Sequence, residues 1–417
     1  MRSSSTSSTD PGPRGGSHLL EALHVAYCHC VLRMPLRAIA EMLGKSPATI
    51  TRRLDEVRRA GWLHDRPEFA PPPDLWKTLR AHIACGDTER VLQEALAVHG
   101  VGRLTVAPSV RREGGAKARA VSPESVERVG LVAAHRLGEA LANGDHVVGV
   151  NWGWSVRHCV ANLRPPCPNP NLRFVPLVGS LSLDENDPHF EEAIECSSNR
   201  LAQLAASAFR APRVPRLNTP AYVPRRFHAD AYGLSAIRDF IESDVSHRRV
   251  FGGRDERGEW SAGLIERMDT LITGLTSLDV QTLPAYRPGL ITTEDLPALQ
   301  RAGVVGDLAL HLLVDGDHRR PETEEAAGSD EGLVAAINDL IVGASPADFV
   351  RVAERARSGE REGLGVVVLA AGPWKARILA TAMKLRAVNE LITDFDTARA
   401  LCDHLGLRHT AAVPEPA

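Results

Sequence analysis

With 417 residues, 43% of them hydrophobic, the chain is long enough for two or three domains with cores of their own, and it has no apolar run long enough to span a bilayer. A net charge of −3 excludes a uniformly basic nucleic-acid binder, so any affinity for nucleic acid has to come from a local basic face. The seven cysteines are scattered and form no C-x-x-C pair; this excludes a disulfide framework and fits free thiols in a reducing cytoplasm, the expected location.

Residues 1–17 are rich in serine, glycine and proline, lack the apolar stretch of a signal peptide, and read as a disordered tail. Residues 18–66 read as an all-α unit. Ala22, Ala26, Tyr27 and Cys30 pack one face of its first helix. The same helix carries Cys28-His29-Cys30 with His24 one turn earlier, but adjacent helical residues point in different directions, so no metal is expected there.

Leu36, Ile39, Ala40 and Leu43 recur at helical spacing and give the buried stripe of a short second helix. Gly44 supplies a turn. Ser46 followed by Pro47 is a helix start: the serine oxygen caps free backbone N–H groups, and proline tolerates the first helical position. The helix beginning at Pro47 turns Ile50, Leu54 and Val57 inward, which leaves Ala48, Thr49, Thr51, Arg52 and Arg53 on an exposed N-terminal half; Gly61 ends it. A short glycine-bearing turn and small hydroxyl residues beside paired arginines predict a helix-turn-helix that enters a DNA major groove; the alternative is an ordinary helical hairpin with a solvated charged face. The expected DNA-binding residues are Lys45, Ser46, Ala48, Thr49, Thr51, Arg52, Arg53 and Arg58, with the arginines reaching bases or phosphates. One such motif makes few base contacts, so the double-stranded DNA operator would be bound by a homodimer or homotetramer.

Pro67 and Pro71 to Pro73 mark a linker over 67–90, with helical character returning around Leu75 to Ala95. From residue 91 to 408 strands and helices alternate. Arg103–Ala107, His146–Val150, Arg173–Leu177, Met268–Thr273 and Gly365–Ala370 are buried-strand candidates, and Ser122–Asn143 is a long amphipathic helix. The reading is a larger α/β effector domain with a mostly parallel sheet, in which ligands gather at the carboxyl ends of strands. Residues 409–417 read as a second tail, and the runs 251–259 and 319–330 as surface loops.

Four loops follow as candidate sites. In Gly149 to Ser155 a strand runs through Gly153 into a helix, and free N–H groups beside the Ser155 hydroxyl favour an anion. Val175 to Ser180, with Gly179, is the second. Gly303 to Asp307 is the third; Asp307 either accepts hydrogen bonds from sugar hydroxyls or caps a helix. The fourth, Ala371-Gly372-Pro373-Trp374-Lys375, follows the strongest strand. Only five of the 49 basic residues are lysines, so Lys375 at a strand end suggests a phosphate contact or an amine that attacks a carbonyl, with an ordinary surface lysine as the alternative.

In order along the chain, IAEMLGKSPATITRRLDEVRRAGWL, GVNWGWS, VPLVGS, GVVGDL, AAGPWK and Leu391-Ile392-Thr393-Asp394 resemble the marks of the SorC/DeoR-type sugar-binding transcriptional regulators, over about Leu19 to His404. The resemblance implies an effector domain with a fold like glucosamine-6-phosphate deaminase and ribose-5-phosphate isomerase, usually without catalysis and with no cofactor, that binds a small carbohydrate effector, typically a phosphorylated sugar. It places Trp154 and Ser155 on the phosphate-contacting pair, Lys375 on a lysine that contacts phosphate or bonds a sugar aldehyde, Asp307 near the sugar, and Arg287 near a basic ligand position. The effector-binding residues are then Gly153, Trp154, Ser155, Gly179, Ser180, Asp307, Gly372 and Lys375. The chain departs from the family pattern at Asn151, Ser180 and Ala371, where glycine is usual, and at the bulky Trp154 and Pro373-Trp374. Each lost glycine reduces how closely backbone can approach a phosphate. Trp152, Trp154 and Trp374 instead offer stacking surfaces for a ring-bearing ligand. Three alternatives stand beside it: an isomerase- or deaminase-like enzyme, a regulator whose pocket is rebuilt for a non-sugar ligand, and a regulator whose effector pocket has decayed into a purely structural oligomerisation domain.

Overall fold

The computed structural model describes residues 13–32, 34–63, 86–107, 123–181, 183–227, 231–254, 257–280, 283–315 and 329–407. The chain divides into two compact units at Gly86. The linker expected over 67–90 lies outside the described residues up to 85, as do residues 1–12 and 409–417 of the expected tails and 319–328 of the second expected surface loop.

The first unit is three helices: α1 (Pro13–Cys30), α2 (Leu36–Met42) and α3 (Pro47–Arg59). Helix α1 starts at Pro13, inside the stretch read as a tail. Leu23 and Ala26 of α1, Ile39 of α2, and Ile50, Leu54 and Val57 of α3 are all but inaccessible to solvent. Ser46 caps α3 as expected, its Oγ accepting from the Thr49 amide at 3.2 Å, with Pro47 in the first turn.

The strands of the second unit are β1 (Arg103–Ala107), β2 (Val147–Val150), β3 (Arg173–Pro176), β4 (Gly253–Arg254), β5 (Trp260–Ser261), β6 (Thr270–Thr273), β7 (Thr276–Ser277), β8 (Val304–Leu308), β9 (His311–Val314), β10 (Gly365–Ala370) and β11 (Glu390–Asp394). Six of them form one sheet in the order β1-β11-β10-β6-β2-β3, with every pairing parallel. Its central strands are buried on both faces: every residue of β2, β6, β10 and β11 is buried, which is why β10 reads as the continuous apolar run Gly-Val-Val-Val-Leu-Ala.

The loop expectations are corrected at two places. Gly303 to Asp307 is not a strand-end loop. Val304–Leu308 is itself a strand, pairing antiparallel with β7 and β9 in a separate three-stranded sheet. The run read as a surface loop over 251–259 contributes β4 to a short hairpin with β5.

Helices between the strands are α4 (Gly86–Ala97), α5 (Pro123–Ala140), α6 (Trp154–Ala161), α7 (Phe190–Glu195), α8 (Ser198–Phe209), α9 (Ala231–Ser243), α10 (Val245–Phe251), α11 (Leu296–Arg301), α12 (Asp330–Asp339), α13 (Pro346–Ser358), α14 (Ala376–Lys384) and α15 (Phe395–His404). Two are anchored by buried polar groups. Arg136 of α5 makes a two-pronged ion pair with Glu390 of β11 at 2.9 and 3.1 Å, and Asp394 at the end of β11 caps α15 through the Thr397 amide at 2.9 Å.

Candidate nucleic-acid interface and ligand cavity

In the three-helix unit, Lys45, Ser46, Ala48, Thr51, Arg52 and Arg58 are exposed and Thr49 is half-buried, so seven of the eight residues predicted to meet DNA share an accessible stretch around the start and outer side of α3. Arg53 is the correction. It is 5% exposed, with its guanidinium 3.4 Å from Glu21 of α1 and 3.2 Å from Glu56 of α3, and it also bonds His18. The reason is helical spacing: Ile50, Arg53, Leu54 and Val57 fall at i, i+3, i+4 and i+7, so Arg53 lies on the inward stripe and ties α3 to α1. Of the remaining cations, Lys45 lies 3.8 Å from Glu21 and Arg58 2.9 Å from Asp55, both partly exposed pairs, while Arg52 makes no ion pair among the described residues.

Cys28 is buried inside the unit and the His29 ring donates to the Met34 carbonyl at 3.1 Å, so adjacent residues of the Cys-His-Cys run do diverge. Among the described residues no cluster could hold a metal ion, and no described cysteine is in a disulfide.

In the α/β unit, a cavity of about 260 Å³ opens at the carboxyl ends of three adjacent parallel strands. The chain after β2 contributes Trp152, Gly153, Trp154 and Ser155, the chain after β6 contributes Gly274 to Ser277, and the chain after β10 contributes Ala371, Trp374 and Lys375. Val126, Val280, Tyr286 and Asp307 complete the wall. Five predicted effector residues, Gly153, Trp154, Ser155, Asp307 and Lys375, therefore converge on one space, although 222 positions separate Gly153 from Lys375 in the chain (375 − 153).

Three predicted residues do not line it. Gly372 turns its amide to Asp394 Oδ2 and Thr397 Oγ1, at 3.0 and 2.7 Å, which locks the loop to α15. Gly179 and Ser180 run beside residues 219–220: the Ser180 amide donates to the Thr219 carbonyl at 3.0 Å, and a Cβ on Gly179 would stand 2.1 Å from that same oxygen. Gly179 is thus explained by close backbone approach within the fold.

The cavity wall is mostly aromatic. Trp152 meets Tyr286 edge-on at 5.4 Å between ring centres, and the Tyr286 hydroxyl donates to Glu192 at 2.9 Å. Burial, reinforced by Glu192, pushes the Tyr286 hydroxyl well above its usual pKa, so it remains a neutral donor. Trp154 is 40% exposed, with the Arg157 guanidinium 5.4 Å from its ring centre; Arg157 is itself paired with Glu195 at 3.3 Å. Ser277 Oγ donates to the Trp374 carbonyl at 3.1 Å and ties the β7 wall to the lysine loop.

Burial pushes the Lys375 ammonium down to about 8, against the opposing pull of Asp394 and Asp307. Asp307 is buried, 3.0 Å from Arg287 Nη2 without the alignment of a hydrogen bond, and its Oδ1 accepts from the Leu310 amide at 3.1 Å. Arg287 is 1% exposed and lies behind Asp307, outside the cavity lining. Tyr286 and the Gly274 to Ser277 wall were not among the predicted residues. The strand-end rule, applied to the buried run ending at Thr273, points to the latter.

A three-helix unit with an exposed helix start, followed by an α/β unit with a cavity at its strand ends, defines a class by its fold: a helix-turn-helix unit joined to a larger α/β domain. Residues 85–232 match the family model described as "Putative sugar-binding domain". Among solved structures, the full-length sorbitol operon regulator SorC from Klebsiella pneumoniae matches with a TM-score of 0.51 and 19% identity, over 94% of this chain and 100% of its own. A transcriptional regulator from Streptococcus pneumoniae TIGR4 matches with a TM-score of 0.51 and 16% identity, over 79% of this chain and 99% of its own. No curated protein matches. The resemblance to SorC/DeoR-type regulators drawn from the sequence is met in the fold.

Proposed function

We propose that the protein is a DNA-binding transcriptional regulator whose operator affinity is set by a small carbohydrate-class effector held at the ends of β2, β6 and β10. The observation that carries the reading is the convergence of three strand-end loops on one cavity, part of whose wall falls within the matched sugar-binding segment. In this reading α3 enters the major groove with Ala48, Thr49, Thr51 and Arg52, while Lys45 and Arg58 anchor on phosphates. Effector binding shifts the relative orientation of subunits in a homodimer or homotetramer, and with it the spacing of two recognition helices.

Regulation fits the cavity better than isomerase or deaminase chemistry. That chemistry needs an acid and a base free to face the substrate. Here Asp394 is engaged by the Gly372 and Thr397 amides, and Asp307, with Oδ1 on the Leu310 amide and Oδ2 beside Arg287, keeps only Oδ2 toward a ligand, so the two carboxylates do not form a free acid–base pair.

The test is fluorescence anisotropy of the full chain on DNA from its own upstream region. Replacing Arg52 with alanine should weaken binding by about 1–3 kcal/mol, roughly five- to 150-fold, and leave the melting temperature unchanged. Arg53→Ala should instead lower the melting temperature, since it strands Glu21 and Glu56. Unchanged operator affinity in the Arg52 variant would overturn the recognition-helix assignment.

A further inference from the structure

We infer that the cavity takes an uncharged, unphosphorylated sugar or polyol, recognised by aromatic faces and hydroxyl-directed hydrogen bonds; the inference rests on the effector reading of the same cavity. The first argument is charge. Among the described residues the only cation on the wall is Lys375 and the only carboxylate is Asp307, so that part of the lining is formally neutral. A phosphate monoester carries close to two negative charges at pH 7 and needs several donors or cations when taken out of water. Among the described residues the two nearest arginines are committed elsewhere. Arg287 is enclosed behind Asp307, and Arg157 lies against Trp154 and pairs with Glu195. Among the described residues a dianion would therefore meet one ammonium that Asp307 and Asp394 already attract, with the amide N–H groups at the start of α6 as its other donors.

The second argument is the surface that remains. Trp152, Trp154, Trp374 and Tyr286 line the cavity with aromatic surface of the kind that covers the C–H side of a sugar. The Asp307 carboxylate accepts hydrogen bonds, the Ser155 hydroxyl donates and accepts, and the Lys375 ammonium donates, a set matched to neutral hydroxyl groups. The volume of about 260 Å³ is below the roughly 300–1,000 Å³ of sites for drug-sized ligands, which fits a small ligand.

The test titrates the full chain with glucose, fructose, ribose, glucitol, glucose 6-phosphate, fructose 6-phosphate, ribose 5-phosphate and inorganic phosphate. Melting temperature and tryptophan fluorescence are followed in each titration. At least one neutral compound should raise the melting temperature by several degrees and change the fluorescence, while its phosphate ester and inorganic phosphate do neither. Trp154→Ala, a change at a partly exposed ring, should remove at least half of that rise, which ties the signal to the cavity. A phosphate ester that stabilises more than its parent sugar, or silence from every neutral compound, would overturn the inference. Operator binding is measured in parallel with and without the stabilising sugar. If the sugar stabilises but operator affinity stays the same, the regulator reading fails while the ligand class stands.

Discussion

At Lys375 burial and charge oppose each other, and burial wins. The usual lysine value is about 10.4, and the folded chain holds Lys375 near 8. Below about pH 8 both folded and unfolded chains are protonated there, and the cost of burying the ammonium is present in full. Between about 8 and 10.4 the unfolded chain binds a proton that the folded chain does not, so stability rises with pH through that window. Lys375→Met should therefore be more stable than the parent at pH 7, with the advantage shrinking toward pH 10. Denaturant unfolding of both proteins at pH 7, 8.5 and 10 checks this, and an advantage that stays constant with pH would contradict it. The same residue shows how far single positions were legible. Its place at a strand end could be read from the apolar run before it, but its carboxylate neighbours Asp307 and Asp394 come from other strands that no local pattern connects to it. Arg53 is the opposite case. Its inward position was available from the spacing to Ile50 and Val57, and its charge masked it.

Among the elements, β8 shows what the sequence hid and why. Two glycines in Gly303-Val304-Val305-Gly306-Asp307 look like a turn, yet Gly306 is in the strand because β7 passes too close for any side chain. A Cβ there would stand 2.0 Å from the Thr276 carbonyl and 2.6 Å from Ile378, in a backbone conformation of φ +153°. Gly306→Ala should cost about 2–4 kcal/mol, from overpacking against backbone that cannot yield cheaply and from the strained φ. Because β7 carries Thr276 and Ser277 into the cavity wall, the same change should also abolish ligand-induced stabilisation. Denaturant unfolding with and without a stabilising sugar measures both; a variant as stable as the parent would show that β7 shifts freely. β11 was missed for a different reason. Glu390, Thr393 and Asp394 make it look solvated, but Glu390 is neutralised by Arg136, Thr393 donates to the Ala370 carbonyl at 2.7 Å, and Asp394 caps a helix, so a polar-looking strand is fully buried. β10, apolar throughout, needed no such partners and was plain from the sequence.

For the whole molecule, a net charge of −3 gives no long-range attraction to DNA, so binding depends on the few cations that α3 and its turn present. Lys45, Arg52, Arg58 and Arg59 are exposed there. The partners of Lys45 and Arg58 are partly exposed ion pairs, which are weak enough to be exchanged for phosphate. Among the described residues, α3 and its turn can thus neutralise three or four phosphates per copy, too few for tight binding at physiological salt. A dimer doubles the number. The logarithm of operator affinity should then fall with the logarithm of salt concentration with a slope of about −5 to −7, against about −3 for a single motif. Anisotropy titrations of the full chain between about 50 and 200 mM KCl read the slope directly. A slope near −3 on the intact operator would mean that one recognition helix is engaged at a time, and the effector would then have to act within a subunit and not through the spacing between two.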